Sequence, residues 1–237
     1  MLCRLDGVEK TLLKVFFCKG KKCISYHRED SRILFITPVS SDEESFLDDE
    51  VKRIGEGMNI PFTLVSFHIE DWNDELSPWK APAVFGKDGF GDGARRTLEF
   101  IENDLIPYFK ADTDLGEDIP VILGGYSLAG LFSLWSMYES DSFYGVMAAS
   151  PSVWFDGWTE YARSHRPNAK TVYLSLGKSE EKTRNKVMAR VGDNIRTQYE
   201  LLKSAGIDCT LEWNEGGHFS DPAGRCAKGF LFTAKNC

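Results

Sequence analysis

Seven consecutive residues, Gly124, Gly125, Tyr126, Ser127, Leu128, Ala129 and Gly130, stand between an apolar run of strand character at 120–123 and an apolar run of helical character at 128–138. A strand-to-helix turn this tight lifts its serine clear of both elements, and it closes only if the residues two before and two after are small, as Gly125 and Ala129 are. A hydroxyl placed so can attack a carbonyl carbon, with the backbone N–H of Leu128 aimed where the oxygen takes up negative charge. The usual spacing has glycine where this chain has Ala129, with Gly130 beside it. The turn alone is equally compatible with an ordinary serine, so its partners must be sought.

A serine hydroxyl needs a base to take its proton, and a base needs an acid to hold it. On a sheet that presents its nucleophile in this way, the acid follows a later strand and the histidine follows the last one. His218 meets the second condition: it lies in Asn214-Glu215-Gly216-Gly217-His218-Phe219, directly after the strand-like run 209–213. His27 and His68 precede the serine, and His165 precedes the strand expected to carry the acid. After that strand, 171–176, the chain reads Gly177-Lys178-Ser179-Glu180-Glu181-Lys182. A carboxylate here would hold the imidazole tautomer and stabilise the imidazolium. Glu180, three residues beyond the turn glycine, is the preferred acid, with Glu181 as its close rival.

These residues must be positioned by a sheet, and the rest of the chain supplies one. Runs at 11–18 and 23–27, separated by Lys19-Gly20-Lys21-Lys22, predict an antiparallel hairpin. From residue 32 onward, strand-length apolar runs alternate with longer stretches of helical period: 33–37, 46–58, 62–67, 92–109, 120–123, 128–138, 144–149, 171–176, 184–204 and 209–213, ending in an apolar tail at 227–233. That alternation predicts βαβ units and a mostly parallel sheet. The run 208–213 alternates two by two, as a half-covered edge strand does. The long irregular stretch 70–91 predicts a pocket wall, and Trp72, Trp79 and Trp154 are its candidate apolar surfaces.

Length and composition set the outer bounds. At 237 residues, with 42% hydrophobic and 27% charged side chains, the chain has the make-up of one folded α/β domain spanning 1–237. A net charge of -8 argues against a nucleic-acid partner. The span 119–138 has no charged residue, but Pro120, three glycines and three serines divide it, so a membrane segment is not expected. The first ten residues have no apolar core of the kind an export signal needs. The six cysteines show no C-x-x-C pair and no metal-ligand spacing, which predicts reduced thiols, a cytoplasmic protein, and neither metal nor cofactor.

Taken together, Gly-Gly-Tyr-Ser-Leu-Ala-Gly at 124–130, Ala-Ser-Pro-Ser-Val-Trp at 149–154, Gly-x-x-Glu at 177–180 and Gly-Gly-His-Phe at 216–219 resemble the esterase D and enterochelin esterase group of α/β-hydrolases. The resemblance implies an α/β-hydrolase fold and hydrolysis of carboxylic esters through an acyl-enzyme, with Ser127, Glu180 and His218 as the triad. Members commonly carry a His-Gly pair after their first central strand, contributing to the oxyanion hole. Here the chain reads Thr37-Pro38-Val39-Ser40, and since Pro38 has no N–H, Val39 is the expected second donor. The short segment 151–170 leaves little room for a lid, which predicts an open pocket for a small or polar ester. An acyltransferase on the same triad and a catalytically silent binding protein are the alternatives.

Overall fold

The computed structural model describes residues 3–4, 11–113, 115–235 and 237. Nine strands form one sheet in the order β1-β2-β3-β5-β4-β6-β7-β8-β9. The first three, β1 (Cys3–Arg4), β2 (Leu12–Cys18) and β3 (Lys21–His27), are antiparallel. Cys18 pairs directly with Lys21, so the hairpin is tighter than its sequence suggested. Its two turn residues, Lys19 and Gly20, both take positive φ (49° and 87°), which matches the turn to the strand twist.

The remaining six strands run parallel to one another: β4 (Leu34–Val39), β5 (Thr63–His68), β6 (Val121–Tyr126), β7 (Gly145–Ala149), β8 (Thr171–Gly177) and β9 (Asp208–Asn214). From β4 to β8 nearly every residue is buried, because helices cover both faces. One face packs on α1 (Leu47–Gly57) and α8 (Pro222–Thr233), through residues such as Val51, Ile54 and Phe230. The apolar tail of the sequence is therefore this last helix, started by Asp221, which accepts the N–H of Gly224, and by Pro222.

The other face packs on α5 (Ser127–Glu139), α7 (Val191–Ser204) and a long helical stretch, in which α3 (Ala94–Phe100) and α4 (Ile106–Asp112) flank a wider π-helical turn. Helix α5 is buried on all sides. Its Ser133 and Ser136 hydroxyls donate to the Ala129 and Phe132 carbonyls at 2.8 and 2.9 Å, so nothing polar is stranded there. The uncharged span 119–138 is thus β6 and α5, and among the described residues no helix is long and apolar enough to cross a membrane. The expected helix 184–204 begins as α7 only at Val191, after an irregular stretch that leaves Val187 exposed.

Strand β4 has β5 on one side and β6 on the other, so the connections leave it in opposite directions. A crevice opens at the C-terminal ends of strands where winding reverses in this way. Ser127 directly follows the last residue of β6.

Candidate active site

Ser127 takes φ of 57°, a left-handed conformation that costs a residue with a Cβ and persists only where its surroundings enforce it. The enforcement is packing. A Cβ on Gly125 would lie 2.4 Å from the Ala129 carbonyl carbon and 2.7 Å from its methyl. The chain therefore doubles back with no room for a side chain at 125, and Ala129 is small enough to complete the turn. Leu128 follows in the first turn of α5, where backbone N–H groups have no carbonyl four residues back to accept them.

The Ser127 hydroxyl lies 3.0 Å from His218 Nε2, and His218 Nδ1 lies 2.8 Å from Glu180 Oε2. Three elements distant in sequence meet here: the end of β6, the turn after β8 and the loop after β9. Glu181 turns the other way and pairs with Arg196 on α7 at 3.0 Å. Gly177 makes the turn after β8 possible, since a Cβ there would meet the Gly216 carbonyl at 2.7 Å and Glu180 Oε1 at 2.9 Å.

Glu180 is almost fully buried, and every oxygen has partners. Oε1 accepts from Ser150 Oγ at 2.7 Å, from the Gly177 N–H at 2.7 Å and from Arg225 Nη1 at 3.0 Å. Burial would raise its pKa, but the hydrogen bonds from His218, Ser150 and Gly177 outweigh it and hold the carboxyl below its ordinary value. Arg225 is itself buried. It spans the site from below, with Nη1 also reaching Ser150 and Tyr126, and Nη2 donating to the Glu215 and Gly217 carbonyls at 3.1 and 2.9 Å. It therefore fixes the acid and the histidine loop together. The Tyr126 hydroxyl donates to the His218 carbonyl, and burial pushes the phenol up to about 12.

Sequence reasoning missed Arg225, because a single arginine inside an apolar helix carries no motif. Its presence among Cys226, Ala227 and Phe230 on a buried helix face was the available signal, since an arginine buried there requires a counter-charge.

The opposite side of the crevice differs from expectation. The Val39 carbonyl accepts from the Ile69 N–H at 2.9 Å, so it faces β5. A strand residue's N–H and C=O point to the same side, so the Val39 N–H faces β5 too, away from Ser127. In a trans peptide the next N–H points the opposite way, which turns Ser40 N–H toward β6. The β4–β6 register pairs Leu34 with Val121 and Ile36 with Leu123, and its continuation puts Ser40 level with Ser127. That N–H donates to Glu43 Oε2 at 3.0 Å, while Ser40 Oγ accepts the Glu43 N–H at 3.3 Å, a reciprocal helix-start arrangement.

A cavity of about 440 Å³ opens beside Ser127, Leu128 and His218, walled by Trp72, Phe85, Phe90 and Trp154. Two of the three predicted tryptophans are in it. Trp79 is not: its indole N–H donates to the Asp156 carbonyl at 2.8 Å and its ring packs on Phe155 and Tyr161. Phe85 and Phe90, from the long loop, take the place expected of it. Among the described residues no group of His, Cys, Asp and Glu is arranged to hold a metal ion, and Cys18, Cys23, Cys209, Cys226 and Cys237 are free thiols.

A mostly parallel sheet wound in both directions, with an antiparallel start and a serine at the turn after β6 facing a histidine, is the α/β-hydrolase fold with a serine–histidine pair at its crevice. The profile described as "Putative esterase" matches residues 47–219, and the chain belongs to that family. No curated protein matches the chain. Among solved structures, an IroE-like serine hydrolase from Shewanella oneidensis superposes with a TM-score of 0.77 at 15% identity, covering 92% of this chain and 79% of its own. The siderophore hydrolase EstA from Aspergillus nidulans gives 0.74 at 16%, covering 97% and 96%. An enterobactin hydrolase IroE in complex with DFP gives 0.65 at 16%, covering 94% of both chains. At such identities the likeness is one of fold.

Proposed function

We propose that the chain hydrolyses a carboxylic ester through an acyl-enzyme on Ser127, with His218 as general base and Glu180 as the acid of the triad. The observation that carries this reading is the continuous hydrogen-bonded chain from Ser127 Oγ through His218 to a buried, charge-stabilised Glu180. His218 Nε2 takes the Ser127 proton as Oγ bonds to the ester carbon, then returns it to the departing alkoxy oxygen. Water, activated by the same nitrogen, releases the acid. Leu128 N–H supplies one oxyanion donor, and Ser40 N–H, once free of Glu43, supplies the second in place of Val39.

The apolar walls of the cavity shift the expected substrate from a small or polar ester to one whose acyl group presents a flat apolar or aromatic face. Trp72, Phe90 and Trp154 offer the surfaces for it. Siderophore esters, which the Aspergillus nidulans neighbour is named for, belong in the first substrate screen alongside aryl-acyl and alkyl-acyl esters. The direct test is labelling with a fluorophosphonate probe followed by peptide mass spectrometry. Modification of Ser127, blocked in Ser127→Ala, is expected. An unmodified or elsewhere-modified wild-type protein overturns the reading.

A further inference from the structure

Resting on that triad, a second cavity bears on which ester is cleaved. About 300 Å³ in volume, it lies against Glu180 and His218 on the side away from the nucleophile. The first cavity includes Ser127 and Leu128, at the Nε2 edge of the imidazole, and the second includes Glu180 and Gly217, at its Nδ1 edge. The two share His218, Phe219, Trp154 and Met188 as common walls, so one ligand can lie in both. Phe219, the residue after the histidine, is 90% exposed at that shared rim.

The chemistry decides which half of an ester goes where. During acylation the Oγ–carbon bond forms and the bond from the carbonyl carbon to the alkoxy oxygen breaks. The proton that left Ser127 passes from Nε2 to that alkoxy oxygen. The alkoxy oxygen must therefore lie against His218, and the rest of the alcohol projects past the imidazole, while the acyl carbon stays at Ser127 and Leu128. The space past the imidazole is the second cavity.

We propose that the cavity beside Glu180 is the alcohol-side site, and that it takes an aryl or alicyclic alcohol rather than a cationic one. Glu180 lies in its wall, but both carboxylate oxygens are already engaged, by His218 on one and by Ser150, Gly177 and Arg225 on the other. No carboxylate is left to attract an ammonium group. What remains is apolar surface from Trp154, Met188, Val191 and Phe219, with the hydroxyls of Ser179 and Thr183 at the exposed end. Its volume sits at the lower end of small-molecule sites, enough for a single ring and its substituents. By microscopic reversibility an alcohol that fits it can also attack the acyl-enzyme from it.

The test crosses two variants with two ester series. Thr183→Trp fills the second cavity from its exposed rim, and Asn73→Trp fills the first. One series holds the acyl group at acetyl and enlarges the alcohol from ethyl to benzyl to naphthyl. The other holds the alcohol at ethyl and enlarges the acyl group. Thr183→Trp is expected to cut kcat/KM for naphthyl acetate at least tenfold more than for ethyl acetate, and Asn73→Trp to penalise the large acyl groups instead. A reversed pattern, or an equal loss along both series under Thr183→Trp, overturns the assignment. The fluorophosphonate labelling rate reports that each variant keeps its fold and nucleophile, and Thr183→Leu replaces the tryptophan variant where it does not. Wild-type protein that is neither labelled at Ser127 nor active on any ester overturns the triad reading itself, a result distinct from either pattern above.

Discussion

The two sides of Ser127 are built on opposite electrostatic terms. On the histidine side, the one buried carboxylate is matched by a buried guanidinium and a full set of hydrogen bonds, and its pKa is held low. On the side after β4, Glu50 is buried and Glu43 half-buried, and among the described residues neither forms an ion pair with a lysine or arginine. Burial pushes Glu43 up to about 6 and Glu50 up to about 8, and Glu50 Oε1 has no hydrogen-bond partner in the protein. The first side is organised before substrate arrives. The second still has a carboxyl on the Ser40 N–H that an oxyanion would need. In the mechanism proposed above, proton transfer would therefore be prepared in the resting protein, while the negative charge developing on the carbonyl oxygen would meet an incompletely prepared environment.

Six substitutions bear on that contrast. Ser127→Ala is expected to lower kcat by roughly 10⁴-fold or more with an unchanged melting temperature, since the elbow accommodates the smaller residue. More than a tenth of wild-type turnover would place the nucleophile elsewhere. Glu180→Gln keeps size and removes the charge behind the imidazolium, so kcat is expected to fall by roughly 10²- to 10⁴-fold, with Glu181→Gln near wild type. Steady-state kinetics on one chemistry-limited ester decides between them.

Arg225→Met leaves Glu180 buried without its counter-charge and is expected to cost about 3–5 kcal/mol of stability in urea unfolding. A loss under about 1 kcal/mol would mean that the prepared side does not depend on this pair. Glu43→Ala removes the carboxyl from Ser40 N–H and is expected to raise kcat by up to roughly tenfold, a part of what one oxyanion donor can supply. A fall in kcat at unchanged KM would instead assign Glu43 to supporting the loop.

The smallest effect concerns Glu50. Its pKa in the fold lies above the ordinary 4.5, so between those values the folded chain holds a proton that the unfolded chain has lost. Stability from this group is therefore present below about pH 4.5 and is lost as the pH rises toward about 8. Glu50→Met is expected to flatten that slope and to raise the melting temperature at pH 8 by ~2–4 °C. An unchanged slope in calorimetry across that range would show that the carboxyl is not held neutral.

The parts of the molecule legible in its sequence were those that sterics or periodicity write locally. The elbow needs small residues at fixed offsets, and Gly125 and Ala129 show them. The buried parallel strands read as unbroken apolar runs. A glycine and a three-residue reach point to Glu180 rather than Glu181 as the carboxylate beside His218, and that placement is the one observed. What escaped depends on which way a peptide faces or what lies across the sheet. Val39 was chosen because Pro38 lacks an N–H, but only the pairing with β5 reveals that the Val39 donor faces away. Trp79 has the same composition signal as Trp72 and Trp154, and its turn toward Asp156 is a tertiary event. The helix expected from 184 starts at Val191, after a 3-10 turn at Met188–Arg190 whose Met188 lines both cavities, although the apolar periodicity of the sequence runs on through it.

The aromatic lining also makes the protein its own optical probe. Of its six tryptophans, Trp72 and Trp154 edge the cavity beside Ser127, whereas Trp158 is sealed in the core and Trp79 is tied to Asp156. An occupant that displaces water from two indoles changes their emission while the others hold steady. Binding to a turnover-dead Ser127→Ala protein can thus be followed by intrinsic fluorescence, with Trp72→Phe and Trp154→Phe dividing the signal between the two walls.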